Sequence, residues 1–253
     1  MNWIGLWTLI RREVGRFFSV YRQTVLPGLI SSVLYILVFG FTLEQRISEI
    51  QGVSYTWFIL PGLIMMNTLT NATSNTASSM LQMKLLQQLP DLLTAPLSGF
   101  EIALSYIIGG TVRGLVNGAL VLLLGVLLIK LPVKDPLGTI AFIFLVAWAF
   151  SSMGVVLGQL ADSWDQLAMM QNFFLTPLSF LGGIFYSIQM LPEWAQSLSF
   201  FNPIYYMING IRYTILGISD SSISFSIWMA VALTIIFSAT AMLLMQSGKK
   251  IKQ

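Results

Sequence analysis

The sequence predicts an all-α integral membrane protein with six membrane-spanning helices. Hydrophobic residues make up 56% of the 253 positions and charged residues only 9%, whereas a soluble globular domain carries about 25% charged residues. The hydrophobic residues fall in long stretches, and a helix needs about 20 of them to cross a bilayer. Lipid rather than water is therefore the expected solvent for most of the surface.

Residues 1–22 are predicted to form an amphipathic helix that lies in the membrane interface. Its apolar and aromatic residues recur at steps of three and four, and its arginines fall largely on other faces. A basic face opposite an aromatic stripe is typical of interfacial helices, although a helix packed on protein would show a similar pattern. The stripe consists of Trp3, Trp7, Ile10, Val14, Phe17 and Tyr21.

Six apolar stretches follow, and each is long enough to cross the membrane as a helix. The third contains Gly110, Gly114 and Gly118, and the fourth contains Gly154 and Gly158. Small residues at a spacing of four permit close helix packing within a bilayer. The predicted spans are residues 24–43, 55–79, 101–129, 137–160, 166–186 and 225–245.

The second span is unusually polar for a membrane helix. Asn67, Asn71 and Asn75 recur every four residues and therefore share one helix face. Amide groups facing lipid would be costly, so this face is expected to meet protein or water. Two interpretations stay open: polar contacts between helices, or the wall of a translocation path.

The third and fifth spans contain further candidates for such a path. Arg113 lies well inside an apolar run, where an arginine costs about 3 kcal/mol at mid-bilayer on the insertion scale. It is expected to face the bundle interior or a wet cavity, either as a structural residue or as part of a transport path. Phe173 and Phe180 share one face of the fifth span, which would contact apolar cargo or pack on neighbouring helices.

The stretch before the sixth span, residues 188–217, is apolar but interrupted. Pro192 and Pro203 lie in it, and Gly182 and Gly183 come just before it; these residues disfavour an unbroken helix. Interrupted backbone at membrane depth must be buried in protein or line a polar cavity. The stretch therefore predicts a re-entrant hairpin of short helices.

Six spans place both termini on one side of the membrane. That side would carry eight of the thirteen Lys and Arg residues, and the opposite side four, Arg212 among them. An excess of Lys and Arg marks cytoplasmic loops. Both termini are therefore expected in the cytoplasm, with the hairpin on the outer face.

Several classes of chemistry are missing from the sequence. There is no Cys and no His, and no phosphate-binding loop, HExxH or GxSxG motif. No paired metal cluster occurs, all acidic residues fall outside the span interiors, and a net charge of +3 is no nucleic-acid signal in such a chain. The chain is not expected to be an enzyme, to hold a metal or to bind nucleic acid. Either it is a passive pore or receptor, or a partner supplies the energy.

The order of elements resembles the membrane subunit of ABC-2 type exporters over essentially the whole chain. The strongest part is SFLGGIFYSIQMLP followed by NPIYYMINGIRY. The segment PDLLTAP, residues 90–96, resembles the coupling segment of the family, although Asp91 stands where Glu is usual and Pro90 is a departure. The signature positions are Gly182, Gly183, Leu191, Pro192, Pro203, Tyr206 and Arg212.

The resemblance implies a mechanism and a set of partners. Two copies of the subunit, or one copy and a sister permease, would form the path in a bacterial inner membrane. Two separate ATPase subunits would bind ATP and Mg, so no cofactor belongs to this chain. Residues 84–96 would couple to the ATPase, and the hairpin would form the outer gate. The coupling positions would be Leu86, Asp91, Leu92 and Leu93.

In this family the second and fifth spans line the central cavity, which agrees with the faces selected above on physical grounds. A passive channel, a secondary transporter, and a membrane scaffold or receptor without transport are the competing interpretations. The residues expected along the path are Asn67, Asn71, Asn75, Arg113, Phe173 and Phe180.

Overall fold

The structure is a computed structural model that describes residues 2–44, 49–88, 92 and 94–247. This part is all-α except for one hairpin of two-residue strands. Four of its helical segments are long and apolar enough to cross a membrane: Tyr21–Gly40, Gly99–Ile129, Pro136–Leu160 and Ile223–Ser247. The count of six spans stays a prediction.

The helices follow one another with short connections, and two π-helical segments interrupt the series. In chain order the elements are α1 (Trp3–Ser19), α2 (Tyr21–Tyr35), a π-helix (Ile36–Phe41) with a final turn (Thr42–Glu44), β1 (Glu49–Ile50), β2 (Val53–Ser54), α3 (Tyr55–Leu85), α4 (Gly99–Ile129), α5 (Pro136–Leu160), α6 (Trp164–Met170), a second π-helix (Gln171–Leu175), α7 (Thr176–Leu181), a 3₁₀ turn (Ile188–Met190), α8 (Glu193–Phe200), α9 (Pro203–Leu216) and α10 (Ile223–Ser247).

Helix α3 lies at the centre of the bundle, packed along α4 and α5. It is mostly buried despite its polar second half. A Cβ atom at Gly114 of α4 would lie 2.8 Å from the Cβ of Ala72, and one at Gly158 of α5 would lie 2.7 Å from the carbonyl oxygen of Ala77. The predicted role of the glycine spacings in close helix packing is confirmed.

Helix α1 packs on the bundle through one face, and Asn2 caps it by accepting a hydrogen bond from the Gly5 amide. Trp3 and Trp7 are exposed, as an interfacial stripe requires. Phe17 is not part of that exposed stripe, because it is buried against the rest of the protein. The stripe is therefore interrupted by Phe17, and the position of α1 in a membrane interface stays a prediction.

The predicted interruptions before the last helix are present. The helical path of the fifth predicted span ends at Leu181, earlier than the expected residue 186, because Gly182 caps α7 and Gly183 adopts a φ of +80°. Pro192 is the N-cap of α8 and Pro203 occupies the first turn of α9, where a missing N–H costs no helical hydrogen bond. Whether this segment re-enters a membrane stays a prediction.

Candidate functional site

The amide face of α3 meets Arg113, a half-buried arginine of α4. The Nε and Nη2 atoms of Arg113 donate to Oδ1 of Asn71 at 3.2 and 3.1 Å, and Nη1 donates to Oδ1 of Asn75 at 3.4 Å. The Nδ2 atom of Asn71 donates to the carbonyl oxygen of Asn67 at 3.0 Å, which keeps its Oδ1 turned towards Arg113. Asn71, Asn75 and Arg113 therefore form one cluster, and Asn67 supports it through its carbonyl oxygen.

A cavity of about 310 Å³ lies beside this cluster, between α2, α3 and α4. Asn67, Asn71 and Arg113 line it. Asn75 is almost fully buried and supports Arg113 from behind rather than lining the cavity. The remaining lining residues are Gln23, Thr24, Pro27, Gly28, Ser31, Tyr35, Met66, Thr70 and Ser74.

A second polar network joins α1 to α3 and ends on Asn75, which also accepts a hydrogen bond from Arg113. The Glu13 carboxylate accepts hydrogen bonds from Ser79 Oγ at 2.7 Å and from Arg12 Nη2 at 2.9 Å, and forms an ion pair with Arg16 at 3.5 Å. Nη2 of Arg16 donates to the backbone oxygen and to Oδ1 of Asn75, at 2.9 and 3.2 Å. Two guanidinium groups therefore converge on one amide oxygen.

Sequence reasoning did not select Glu13, although a signal was present. Glu13 lies four residues from both Leu9 and Phe17, so the three share one helix face, and that face of α1 is buried. A carboxylate on a buried face requires paired partners. Helical spacing alone could therefore have identified Glu13 as an interior residue of α1.

Arg12 stands at the edge of this network, beside a second cavity of about 360 Å³. Its Nη2 also donates to the Tyr106 hydroxyl at 2.8 Å. Burial tends to lower the pKa of Arg12, but the Tyr106 hydroxyl and the Glu13 carboxylate raise it, and the net pKa lies above the ordinary value. Arg12 is therefore a fixed positive charge at the α1 end of the network.

The two phenylalanines predicted to line the path do not reach the cavity. Phe173 lies in the second π-helix with 75% of its surface exposed, and Phe180 of α7 is also exposed. The connection between this segment and α3 is polar, because Ser74 Oγ donates to Oε1 of Gln171 at 3.3 Å. Within a single chain the two predicted faces are therefore adjacent but do not form one surface.

Arg212 lies in a sealed site at the α9 end of the bundle. Its Nη1 pairs with Asp220 Oδ2 at 3.2 Å, its Nη2 donates to the Gly183 carbonyl oxygen at 2.7 Å, and its guanidinium carbon lies 3.9 Å from the ring centroid of Phe58. Only 1% of Arg212 is exposed. We refer to Arg212, Asp220 and Gly183 as the Arg212 lock.

Sequence reasoning counted Arg212 among the charges on the outer side of the membrane, which stays a prediction, and did not foresee that the Arg212 lock encloses it. Asp220, which sequence reasoning did not select, also accepts a hydrogen bond from Ser187 Oγ at 2.6 Å. Tyr206 packs nearby, and its hydroxyl donates to the Phe200 carbonyl oxygen at 2.9 Å. The signature residues therefore sit at helix ends and inside a packed joint.

The predicted coupling positions differ in their surroundings. Leu86 is 56% exposed directly after α3, whereas Leu92 is only 9% exposed. Leu92 belongs to a buried cluster that includes Leu9 of α1 and Tyr106 of α4. Asp91 and Leu93 lie outside the described residues. Leu86 is therefore free to contact a partner, whereas Leu92 supports the bundle.

No group of three or more acidic, His or Cys side chains that could hold a metal ion occurs in the described part of the chain. The chemistry of both sites is that of hydrogen bonds and charge.

Known proteins resemble this chain along nearly its whole length. The family model described as ABC-2 type transporter matches residues 5–216. The chain is 36% identical over 252 residues to "Inner membrane transport permease YadH" of Escherichia coli (strain K12), covering 100% of this chain and 98% of that protein. It is 26% identical over 218 residues to "Nodulation protein J" of Rhizobium leguminosarum bv. viciae, covering 86% and 83% of the two chains. With "Nodulation protein J" of Sinorhizobium fredii (strain NBRC 101917 / NGR234), the identity is 25% over 212 residues, covering 83% and 80%.

Proposed function

This chain belongs to the ABC-2 type transporter family, and from that premise we propose that it is the permease subunit of an ATP-driven exporter. It is a membrane component of a transporter in a bacterial inner membrane. Two separate ATPase subunits supply the energy and bind ATP and Mg. The export direction and the ATP coupling follow the resemblance of the coupling segment and the hairpin to this family.

One observation carries the proposal of a path: a cavity with polar groups on its wall opens at the surface of an apolar bundle, between α2, α3 and α4. Asn71 and Arg113 meet at its wall in the middle of two long helices. A polar group at such a depth is costly unless protein or water satisfies it. A cavity whose wall carries these groups is a suitable place for cargo to cross.

We assign the rest of the path to a second copy of the chain or a sister permease. The second π-helix exposes Phe173 and Phe174 next to α3, and we assign this surface to the contact with the second subunit. Pairing there would place the fifth span of one subunit beside the polar face of α3. The six spans then leave both termini in the cytoplasm and the hairpin outside.

We place the outer gate at the hairpin, with Gly182, Gly183, Pro192, Pro203, Tyr206 and Arg212 as its joints. The Arg212 lock ties the end of α7 to α9 and to the connection before α10. It can therefore hold these short helices together as one body.

Purification of the tagged protein from its native membranes tests the proposal. We expect an ATPase subunit with a phosphate-binding loop to copurify, in equal number with the permease, and the complex to hydrolyse ATP. Recovery without any ATPase, together with solute flux through liposomes in the absence of ATP, would instead identify a passive channel.

A further inference from the structure

The polar network that joins α1, α3 and α4 contains more cations than carboxylates. Arg12, Arg16 and Arg113 belong to one connected network, and Glu13 is its carboxylate. Glu13 already pairs with both Arg12 and Arg16. Of the ion pairs among residues 2–44, 49–88, 92 and 94–247, none includes Arg113. Three cations therefore share one anion, and the innermost cation has no acidic partner.

Arg113 also keeps hydrogen-bonding capacity. A guanidinium group has five N–H donors, and Arg113 uses three of them on Asn71 and Asn75. Both asparagine oxygens hold the guanidinium plane from the α3 side. The two remaining donors belong to a group that lines the cavity, and a planar guanidinium suits bidentate binding of a phosphate or a carboxylate.

The other walls of the cavity are of mixed character. Gln23 and Ser31 of α2 offer hydrogen bonds, whereas Pro27, Tyr35 and Met66 offer apolar surface. A small inorganic anion would use only part of these walls. A molecule that carries an acidic group on an apolar body would use both kinds.

We propose that this cavity binds the acidic group of an amphipathic anionic cargo, with Arg113 as the residue that contacts the phosphate, sulfate or carboxylate. This inference rests on the proposed function, because it assumes that the cavity belongs to the path. Asn71 and Asn75 are positioning residues, since they orient the guanidinium group. Arg16, which shares the oxygen of Asn75 with Arg113, adds positive charge on the α1 side of the site.

The test uses the full chain purified in a neutral maltoside detergent and three soluble probes. Octyl phosphate and octyltrimethylammonium have the same tail and opposite charges, and inorganic phosphate has the acidic group without a tail. Binding is measured by titration calorimetry. We expect octyl phosphate to bind more tightly than both other probes, because it alone satisfies Arg113 and the apolar walls.

The variants Arg113→Gln, Arg113→Lys and Arg22→Gln locate the site. Arg113→Gln should weaken octyl phosphate binding about 10-fold to 100-fold, the loss expected for a charge-assisted hydrogen bond. Arg113→Lys should lose less of the affinity for octyl phosphate, because lysine keeps the positive charge. Arg22→Gln is the matched control, since Arg22 is exposed and does not line the cavity, and it should bind like the original protein.

Equal binding of octyl phosphate and octyltrimethylammonium would overturn the inference, and so would unchanged binding by a folded Arg113→Gln protein. Inorganic phosphate binding as tightly as octyl phosphate would overturn the amphipathic part and identify a free anion as the ligand. If Arg113→Gln does not fold, the inference is tested by the original protein alone, through its preference for octyl phosphate over octyltrimethylammonium. None of these measurements needs the ATPase, so absence of a copurifying ATPase is a separate failure, of the proposed function.

Discussion

Arg113 and Arg212 are both arginines inside an apolar bundle, but their surroundings are opposite. Arg212 pairs with Asp220 at 3.2 Å in a site without solvent access. Among the residues that the structure describes, the Arg113 side chain donates to the amide oxygens of Asn71 and Asn75, and it faces a cavity. A charge satisfied within the protein stabilises one arrangement of the chain. A charge held by neutral groups beside a cavity remains available to a ligand.

The local sequence explains how the Arg212 lock forms. Gly217 ends α9 with a φ of +73°, a conformation that glycine adopts without steric cost. The chain then turns back, and the Asp220 amide donates to Oδ1 of Asn209 at 2.7 Å. Asp220 is thereby fixed beside Arg212. Within the described part of the chain, no comparable turn brings a carboxylate to Arg113, whose partners Asn71 and Asn75 lie on a different helix.

The largest effect is expected from breaking the Arg212 lock. Arg212→Met should destabilise the protein by about 3–5 kcal/mol, because removing one partner leaves Asp220 as an unpaired buried charge. Denaturant unfolding in detergent, followed by tryptophan fluorescence, measures the change. The double variant Arg212→Met/Asp220→Leu should be more stable than Arg212→Met alone. A double variant with the summed loss would show that the two charges do not interact.

A smaller change in stability is expected at Arg113. Arg113→Gln should lower the unfolding free energy by about 1 kcal/mol, since it breaks hydrogen bonds next to a cavity where water can replace them. Cargo-stimulated ATP hydrolysis by the reconstituted complex should fall strongly in the same variant. A stability loss as large as that of Arg212→Met would remove the contrast between the two arginines and assign Arg113 a structural role.

Cysteine labelling sharpens the comparison further, because the chain has no cysteine of its own. Asn67→Cys and Asn71→Cys should react with a water-soluble maleimide, since both positions line the cavity. Leu69→Cys, at a fully buried position of the same helix, should not react. Labelling is counted by mass spectrometry of the folded protein. Equal protection at all three positions would indicate that the amide face is dry.

The smallest change in stability is expected at Leu86. Leu86→Glu should alter the unfolding free energy by no more than about 0.5 kcal/mol, as exposed positions usually do, while it reduces ATPase binding in a copurification assay. Leu92→Glu is the matched control at a buried position, and it should destabilise the protein by about 2 kcal/mol or more because a charge enters an apolar cluster. Full ATPase binding by Leu86→Glu would place the coupling contact elsewhere.

Much of the candidate site could be predicted from helical periodicity. The spacing of Asn67, Asn71 and Asn75 fixes a common face on any helix, and an arginine within an apolar run must turn inward. Both facts turn these groups away from lipid, whereas their contact with each other depends on how α3 packs against α4. Leu92 could not be judged in this way, because its burial depends on α1 and α4, which are distant in sequence.

The sequence by itself determined that the long apolar segments form helices, that Pro and Gly interrupt the stretch before the last helix, and which face carries amides, because periodicity and the backbone limits of Pro and Gly are local properties. Only the tertiary structure decided that Arg212 is neutralised by Asp220 and that Arg113 has amide partners instead. Charge pairing depends on distances between side chains of separate elements and on whether the surrounding helices exclude water. Arg212 is therefore neutralised within the protein, whereas Arg113 remains available to a ligand.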